Sequence, residues 1–295
     1  EAAELWPLVE WCLEYCRRQL TPDGVVASDT DELEGRFPTG DANLCTSTLY
    51  YDALLSAVSL GRELGVESAQ TARYAAQARA LARAIDAHFG GEVGGYDTYR
   101  YYAGNTLLRS WICMPLIVGL KERSEGTVRA LLGPELMTDD GLLTQQGSST
   151  FWDRSTLYAL RGIYNVGQAD RATELLHRYS QRRLLGDHVP YPIEAWPEGS
   201  QRHLSAESGL YCRIITEGLF GIRPTGLRSF DLTPSMPAAW ESMSLRHIRA
   251  FGSDFDITVA RVADGRLRIT VARPGAKPKI YRAAPGATIR VKLTD

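Results

Sequence analysis

A helical hydrophobic period recurs through most of the chain and limits the folds that the chain can adopt. Eight segments carry apolar residues at the spacing of an amphipathic or buried helix. They cover residues 4–20, 46–64, 68–89, 105–120, 125–132, 150–165, 169–185 and 205–220. Short and long connections alternate between them. Because helices joined by short loops pack antiparallel, the pattern predicts an array of helical hairpins.

Four of the connections between these helices are long. They are an acidic loop at 28–41, a tyrosine-rich loop at 90–104, a polar stretch at 145–152 and a proline-rich loop at 187–203. When every second connection in a hairpin array is long, the long loops lie at the same end of the array. We therefore predict that residues 28–41 and 187–203 lie close together, although they are far apart in the sequence.

The hydrophobic period shortens to two residues after position 221. Segments 245–251, 255–262, 266–272 and 288–293 alternate apolar and polar side chains, as half-buried strands do. Asp264-Gly265 between two of these segments is a hairpin signal, and residues 223–226 are predicted to form a turn. We interpret residues 224–295 as a small antiparallel β module, which looks too small to be an enzyme by itself.

Composition excludes several classes of function. The net charge of −2 provides no basic surface for nucleic acid, and no apolar run is long enough to cross a membrane. The five cysteines are scattered without a zinc spacing, which favours a reducing, cytoplasmic setting and predicts no metal site. Phosphate-binding and dinucleotide-binding motifs are absent from the sequence, so no cofactor is expected.

The first residues, E-A-A-E-L-W, contain neither a signal peptide nor an initiator methionine. A chain with such a start is expected to be processed, trimmed or a fragment of a longer one.

Glu194 has the most unusual surroundings of the acids in this chain. It lies between Pro192 and Pro197 and beside Trp196. Proline fixes its own φ angle and restricts the residue before it, so this loop is expected to be stiff. Catalytic groups are often placed on loops that a rigid scaffold positions. A glutamate on an arbitrary loop is usually a solvated acid, but these neighbours favour a catalytic role.

The two loops that are predicted to meet both carry carboxylates. These are Asp29, Asp31, Glu32 and Glu34 in the first loop, and Glu194, Glu198 and Glu207 in or beside the second. Two carboxyl groups, one protonated and one ionised, are the minimum equipment for glycoside hydrolysis. The proton donor needs a pKa that burial or a neighbouring charge has raised. The first-loop acids are equally well explained as a solvated surface, and Glu207 as a first-turn acid that stabilises the helix dipole.

Aromatic and basic residues near these loops fit a sugar site. Candidates for the walls of a sugar subsite are Trp152, Tyr191 and Trp196, and candidates for contacts with hydroxyl groups are Arg36 and Arg154. His203 flanks the second loop and is as readily a bystander as a residue that orients the loop. Each aromatic taken alone is more often part of a core than a binding platform.

The helical part of the chain resembles a known enzyme fold. Segment 5–15, L-W-P-L-V-E-W-C-L-E-Y, looks like the helix that precedes the acid loop in glucoamylase-like enzymes. Segment 46–65, T-S-T-L-Y-Y-D-A-L-L-S-A-V-S-L-G-R-E-L-G, followed by 72–85, looks like a helical hairpin of α-L-rhamnosidase-like enzymes.

Later segments carry the same resemblance. I-E-A-W at 193–196, A-E-S-G-L-Y at 206–211 and G-L-F-G-I-R-P at 218–224 are similar to the base-bearing loop, the last helix and the exit of those enzymes. L-T-P-S-M-P-A-A-W at 232–240 and the strands after it look like their C-terminal β module. Taken in order, these segments make the chain similar to the six-hairpin (α/α)6-barrel glycoside hydrolases over almost its whole length.

The resemblance implies a mainly α fold, a partial or complete (α/α) toroid of helical hairpins followed by a small antiparallel β module. It implies a catalytic domain at 1–223, a β module at 224–295 and a carbohydrate substrate.

The resemblance also implies roles for two acids. Glu194 would be the general base acting on water, and the general acid would lie in D-T-D-E-L-E-G. We choose Glu32 as that acid, with Asp31 and Glu34 as alternatives. Inversion would follow, with carboxyl groups roughly 6.5–9.5 Å apart.

The sequence departs from the family pattern in its number of helices. These barrels use twelve helices, whereas this sequence predicts eight, which resemble the last eight. We expect either that the first four helices and any N-terminal domain are missing from this chain, or that the barrel is incomplete. An open array would expose apolar helix faces, which soluble proteins avoid. We therefore predict a homodimer or a complex that covers the open edge.

Two rival functions remain. The first is a non-catalytic carbohydrate-binding or scaffolding remnant of such a barrel. The second is a polysaccharide lyase or uronyl hydrolase on a similar barrel. A lyase would need a histidine or tyrosine base, for which His203 or Tyr191 would be the candidate.

Overall fold

The computed structural model describes residues 1–31, 36–185, 190–193, 195–196 and 205–293. Within these ranges there are eight α-helices: α1 (Ala2–Arg18), α2 (Leu44–Glu63), α3 (Ser68–Phe89), α4 (Met114–Val118), α5 (Ser124–Leu131), α6 (Asp153–Asn165), α7 (Ala169–Tyr179) and α8 (Ser205–Arg213). The predicted fold class is confirmed, because the chain is mainly α, a helical-hairpin (α/α) array followed by small antiparallel sheets.

The hairpin formed by α2 and α3 shows how the sequence builds this array. Asn43 caps α2, since its side-chain oxygen accepts a hydrogen bond from the backbone N–H of Thr46 at 2.9 Å. Gly65 follows the helix with φ +73, a left-handed conformation that favours glycine. Leu54 of α2 and Leu81 of α3 are buried in the core. The N-cap of α2, the glycine that ends it and the apolar faces of both helices therefore specify the hairpin.

The helix expected at 105–120 begins later than predicted. It starts as a 3-10 turn (Ser110–Cys113) that leads into α4. Arg109 before it is extended and pairs with Gln145 across an isolated bridge. A long-range backbone pairing therefore replaces the first helical turn.

The helix expected at 150–165 also begins late, at Asp153. The two residues before it, Phe151 and Trp152, form a short strand instead of helical turns. This strand too pairs with a distant segment of backbone.

The ends of two other helices change their winding. Helix α7 continues as a π-helix (Ser180–Leu184), and α8 continues as another (Ile214–Leu219). A π-helical turn directs side chains differently from an α-helical one and is frequent at functional sites. In the sequence, the first of these two turns precedes the loop that carries Glu194.

The tyrosine-rich segment 90–104, expected to be a loop, contains a hairpin. Strand β1 (Gly90–Val93) pairs antiparallel with strand β2 (Tyr96–Tyr99). Gly94 and Gly95 form the turn with positive φ angles, as many two-residue hairpin loops require. A Gly-Gly pair in this position is a hairpin signal, so the loop prediction is wrong for these ten residues.

Further two-stranded pairs join parts of the long loops. Strand β3 (Met137–Thr138) pairs with β4 (Gly141–Leu142), and β5 (Phe151–Trp152) pairs with β6 (Ala195–Trp196). The second pair connects the entrance of α6 to the loop that carries Glu194.

The C-terminal segment forms two antiparallel sheets. Their strands are β7 (Ile222–Gly226), β8 (Ser229–Leu232), β9 (Ser242–Ala250), β10 (Ser253–Arg261), β11 (Leu267–Ala272), β12 (Lys279–Ala283) and β13 (Ile289–Lys292). One sheet has the order β12-β11-β10-β9 and the other β13-β8-β7. The turn at Asp264-Gly265 is confirmed, with Gly265 at φ +80 between β10 and β11.

The turn expected at 223–226 is wrong, because these residues belong to β7. Pro224 fits there since β7 is the edge strand of its sheet, where a missing N–H costs little. Strand β7 lies against α2, and the Arg223 guanidinium binds the Asp52 carboxylate at 2.6 Å. The β segment thus contacts the helices, while the division of the chain at 223/224 stays a prediction.

Helix α1 carries an exposed apolar face. Its buried side is formed by Trp6 and Leu13. The Trp11 and Tyr15 rings on the other side stack on each other at 5.7 Å. The exposed large apolar side chains on this helix, each 54–64% exposed, are Leu5, Leu8, Trp11 and Tyr15. None of the helices in the described part of the chain is both long enough and apolar enough to cross a membrane.

The homodimer predicted from the sequence can be tested on this face. If a second copy covers α1, Trp11→Glu should shift the protein from twice the chain mass to a monomer, because a buried unpaired charge is costly. Light scattering at several concentrations measures the mass. Ile280→Glu, which changes an exposed residue of β12, is the control and should leave the mass unchanged. A monomeric wild type would contradict the dimer.

Candidate active site

The acidic loop is anchored on both of its described sides. The Asn43 side chain donates a hydrogen bond to the Thr30 carbonyl at 3.0 Å. The Thr39 hydroxyl donates one to the Asp29 carbonyl at 2.8 Å. These bonds draw the two flanks of the loop together. The candidate acids at 32 and 34 come between the flanks in the sequence and lie outside the described residues.

Asp31, the third candidate acid, accepts a short hydrogen bond. The Tyr101 hydroxyl donates to Asp31 Oδ2 at 2.6 Å. Burial raises the pKa of Tyr101 far above its usual range, and the nearby Cys45 and Asp31 raise it further, so the hydroxyl stays protonated. The bond ties this flank of the acidic loop to Tyr101, so Asp31 helps to fix the position of the loop.

Arg109 lies behind this part of the loop and was not predicted as a site residue. Its side chain is fully buried, and its guanidinium donates to the Pro38 carbonyl at 2.6 Å. The guanidinium carbon lies 5.0 Å from the ring centres of both Phe37 and Tyr101. Burial lowers the pKa of Arg109, although an arginine keeps its charge at neutral pH. Arg109 thus supports the acidic loop from its buried side.

The loop with Glu194 is attached at the residues on both sides of that glutamate. The backbone N–H of Ile193 donates to Asp153 Oδ2 at 2.7 Å, and Ile193 is fully buried. On the other side, Ala195 pairs with Trp152 in the β5–β6 ladder. Outside the described residues lie Glu194 itself, Glu198, His203 and the side chain of Trp196.

Asp153 is part of a buried ion pair. Its Oδ1 lies 3.1 Å from Arg183 Nη2, and both side chains are 2% exposed. Arg183 also donates to the Asp140 carbonyl at 2.8 Å. Burial raises the pKa of the adjacent Tyr179, and the Asp153 charge adds to the rise. Neither member of the pair was predicted as a site residue, because an acid at a helix start and a base at a helix end are common without any site.

Trp152 is the place where the described flanks of the two loops meet. The Arg36 guanidinium, from the acidic loop, lies 5.6 Å from the Trp152 ring centre, and that of Arg154 lies 5.5 Å from it. The Trp152 side chain is only 2% exposed, whereas Arg36 is exposed and Tyr191 is half-buried. Cations near an aromatic ring are attracted by the negative charge of its face. This contact brings the two loops to a single site.

Glu207 lies in the first turn of α8 and is fully buried. Nε and Nη2 of Arg154 lie 2.7 Å from Glu207 Oε1. Among the described residues, Glu207 Oε2 has no hydrogen-bond partner. A solvated first-turn acid would not need a cation, so the structure adds a buried ion pair to the helix-dipole explanation. Arg154 therefore joins α8 to Trp152.

The described residues contain no group of three or more histidine, cysteine, aspartate or glutamate side chains arranged to hold a metal ion. What they offer is the flanks of two acidic loops, which meet at a buried tryptophan and are fixed by buried charges. Hydrolysis by acid–base catalysis needs two carboxyl groups in one cleft, and such an arrangement of loops can supply them.

Comparisons with known proteins show the fold. No protein-family model and no curated protein matches this sequence. Among solved structures, the chain is similar to the GH78 family rhamnosidase of Bacillus sp. GL1, with a TM-score of 0.57 and 14% identity over 95% of this chain. It is also similar to the α-L-rhamnosidase of Streptomyces avermitilis complexed with L-rhamnose, with a TM-score of 0.50 and 13% identity over 99% of this chain.

The match covers only part of each neighbour. This chain spans 30% of the Bacillus rhamnosidase and 31% of the Streptomyces enzyme. Both are glycoside hydrolases of the six-hairpin fold. At these identities the likeness shows the fold alone.

The Arg154–Glu207 pair gives a prediction about stability. Arg154→Met should cost about 3–5 kcal/mol of unfolding free energy, because it leaves the fully buried Glu207 without its cation. Glu207→Gln should cost less, about 1–3 kcal/mol, because Arg154 keeps some contact with solvent and Gln can still accept its hydrogen bond. Urea unfolding measures both.

The control for this comparison is Arg249→Met, which breaks the exposed pair with Asp254. Surface pairs contribute little, so the loss should stay below about 1 kcal/mol. A cost for Arg154→Met as small as that of the control would contradict the role assigned to the buried pair.

Proposed function

We propose that this protein is a glycoside hydrolase that uses two carboxyl groups, one from each of the two loops. The observation that carries the proposal is the contact of Arg36, from the acidic loop, with Trp152, which pairs with Ala195 beside Glu194. The similarity in fold to α-L-rhamnosidases supports the same class of reaction.

The proposed roles of the two acids follow the resemblance described above. Glu194 takes a proton from water as the water oxygen attacks the anomeric carbon. Glu32 gives its proton to the glycosidic oxygen as the bond to the leaving group breaks. One displacement of this kind inverts the anomeric configuration.

Three other acids are ranked behind these two. Asp31 is the weaker acid candidate because it accepts the Tyr101 hydrogen bond. Glu34 remains an alternative acid. Glu207 is an alternative base, although its pairing with a cation already accounts for its burial.

Four residues are proposed to contact the sugar. Arg36 is exposed and Tyr191 is half-buried, and we assign them to substrate contacts together with Trp196 and His203.

Two further candidates are assigned to the support of the two loops. Trp152 is buried, and Arg154 is bound to Glu207. Both therefore hold neighbouring elements in place instead of facing a substrate.

The catalytic roles are tested by replacing the two acids. Glu194→Gln and Glu32→Gln should each lower kcat/KM on aryl glycosides at least ~100-fold, the low end for loss of acid–base catalysis. The panel starts with the aryl α-L-rhamnoside, because of the structural neighbours, and extends to other hexosides and pentosides. Glu92→Gln, an exposed acid of β1, should leave turnover unchanged. Turnover that survives in Glu194→Gln would move the base elsewhere.

The stereochemistry of the product tests the mechanism separately. NMR spectra taken in the first minutes of reaction should show the anomer opposite in configuration to the substrate, because a single displacement inverts the centre. Retention of configuration would contradict direct attack by water and would require a covalent intermediate.

The exposed face of α1 favours one rival function, an incomplete barrel that binds carbohydrate without turnover. Calorimetric binding of an oligosaccharide by a wild type that turns over no glycoside in the panel would support this rival. Turnover that depends on Glu194 would exclude it.

A further inference from the structure

We propose that Asp153 is a positioning residue for the proposed general base, because it fixes the backbone directly before Glu194. The catalytic part of this inference rests on the proposed function. The structural part, that Asp153 fixes the segment at Ile193, stands on the contacts of the described residues alone.

The contact between Asp153 and Ile193 is a charge-assisted hydrogen bond. Asp153 Oδ2 accepts the Ile193 N–H at 2.7 Å in a buried setting. A hydrogen bond to an ionised carboxylate is shorter and about twice as strong as a neutral one. Because Ile193 is fully buried, its N–H needs a partner from the protein, and losing that partner is costly.

Arg183 keeps Asp153 in this role. A carboxylate that is 2% exposed is unfavourable unless a cation and hydrogen bonds compensate it. Arg183 Nη2 lies 3.1 Å from Asp153 Oδ1, and another guanidinium nitrogen donates to the Asp140 carbonyl. The cation is thus fixed between the π-helical end of α7 and the turn before β4. Arg183 pairs with Oδ1 of Asp153, and Oδ2 accepts the Ile193 N–H.

The neighbouring backbone adds a second attachment. Trp152 pairs with Ala195, the residue after Glu194, and Asp153 binds Ile193, the residue before it. Two consecutive residues at the entrance of α6 therefore fix the backbone on both sides of the proposed base. A misplacement of about 1 Å in an active site can cost ~100-fold in rate. Loss of the Asp153 attachment should therefore reach the chemistry at Glu194.

The experiment uses two variants, because the first can lose stability. Asp153→Asn keeps the shape of the side chain but removes the charge that compensates Arg183. The double variant Asp153→Leu/Arg183→Met removes the pair together and leaves no unpaired buried charge, so the main remaining cost is the lost acceptor of the Ile193 N–H. Asp153→Asn weakens the hydrogen bond to Ile193, and the double variant removes it.

The matched control is Glu217→Gln. Glu217 pairs at 3.1 Å with Arg161, a largely buried cation on α6, the helix that begins at Asp153. The control therefore disturbs another ion pair of the same helix, at a residue eight positions after Asp153. It should lower stability without changing exchange or turnover at the site.

Two readouts separate the structural and the catalytic claims. The first is hydrogen–deuterium exchange of the Ile193 amide, which should quicken at least ~10-fold in both Asp153 variants when its acceptor is weakened or lost. The second is turnover below the unfolding temperature, where kcat should fall about 10- to 100-fold while KM changes only a few-fold. A loss in kcat alone indicates misplacement of a catalytic group, because substrate binding is retained.

Each outcome decides one claim. Unchanged exchange at Ile193 in the double variant would overturn the structural claim. Faster exchange with an unchanged kcat would overturn the positioning role while leaving the proposed function intact. A wild type without turnover would refute the proposed function, and with it the catalytic claim, and the exchange data would then decide the structural claim by themselves.

Discussion

The candidate site depends on a two-residue ladder between β5 and β6. It pairs Trp152 with Ala195 and so ties the loop that carries Glu194 to the entrance of α6. Asp153 strengthens the attachment with a carboxylate that accepts the Ile193 N–H, a contact between residues 40 positions apart in the chain. Nothing in the local sequence brings a proline-rich loop back to an earlier helix start. The position of this loop is thus decided by contacts that cross the fold.

A buried charge also fixes the acidic loop, but here the charge is positive. There a buried cation, Arg109, binds the Pro38 carbonyl on one flank, and the protonated Tyr101 binds Asp31 on the other. Charges this deeply buried are tolerated only when partners compensate them. Because each partner must be in place, each pair fixes the geometry of its loop. The two loops therefore meet at a contact between two anchored segments.

The fold could be predicted from the sequence better than the site. Amphipathic periods located most helices, since burial of one face is a local pattern that repeats along the chain. The two late helix starts fall where distant backbone pairs with backbone, as Arg109 does with Gln145 and Trp152 with Ala195. Such pairing depends on which strands the fold brings together. The buried Asp153 was missed for a related reason, because the sequence shows that a residue is charged but not that it is buried.

The helical-hairpin array, the β module and the acids on two of the long connections follow from local patterns in the sequence. Hydrophobic period and turn chemistry are local, so they can be read without coordinates. Two features became evident in three dimensions: Trp152 joins the described flanks of those connections, and Glu207 pairs with Arg154. The reason is that burial and ion pairing arise from packing between segments, which no single stretch of sequence contains.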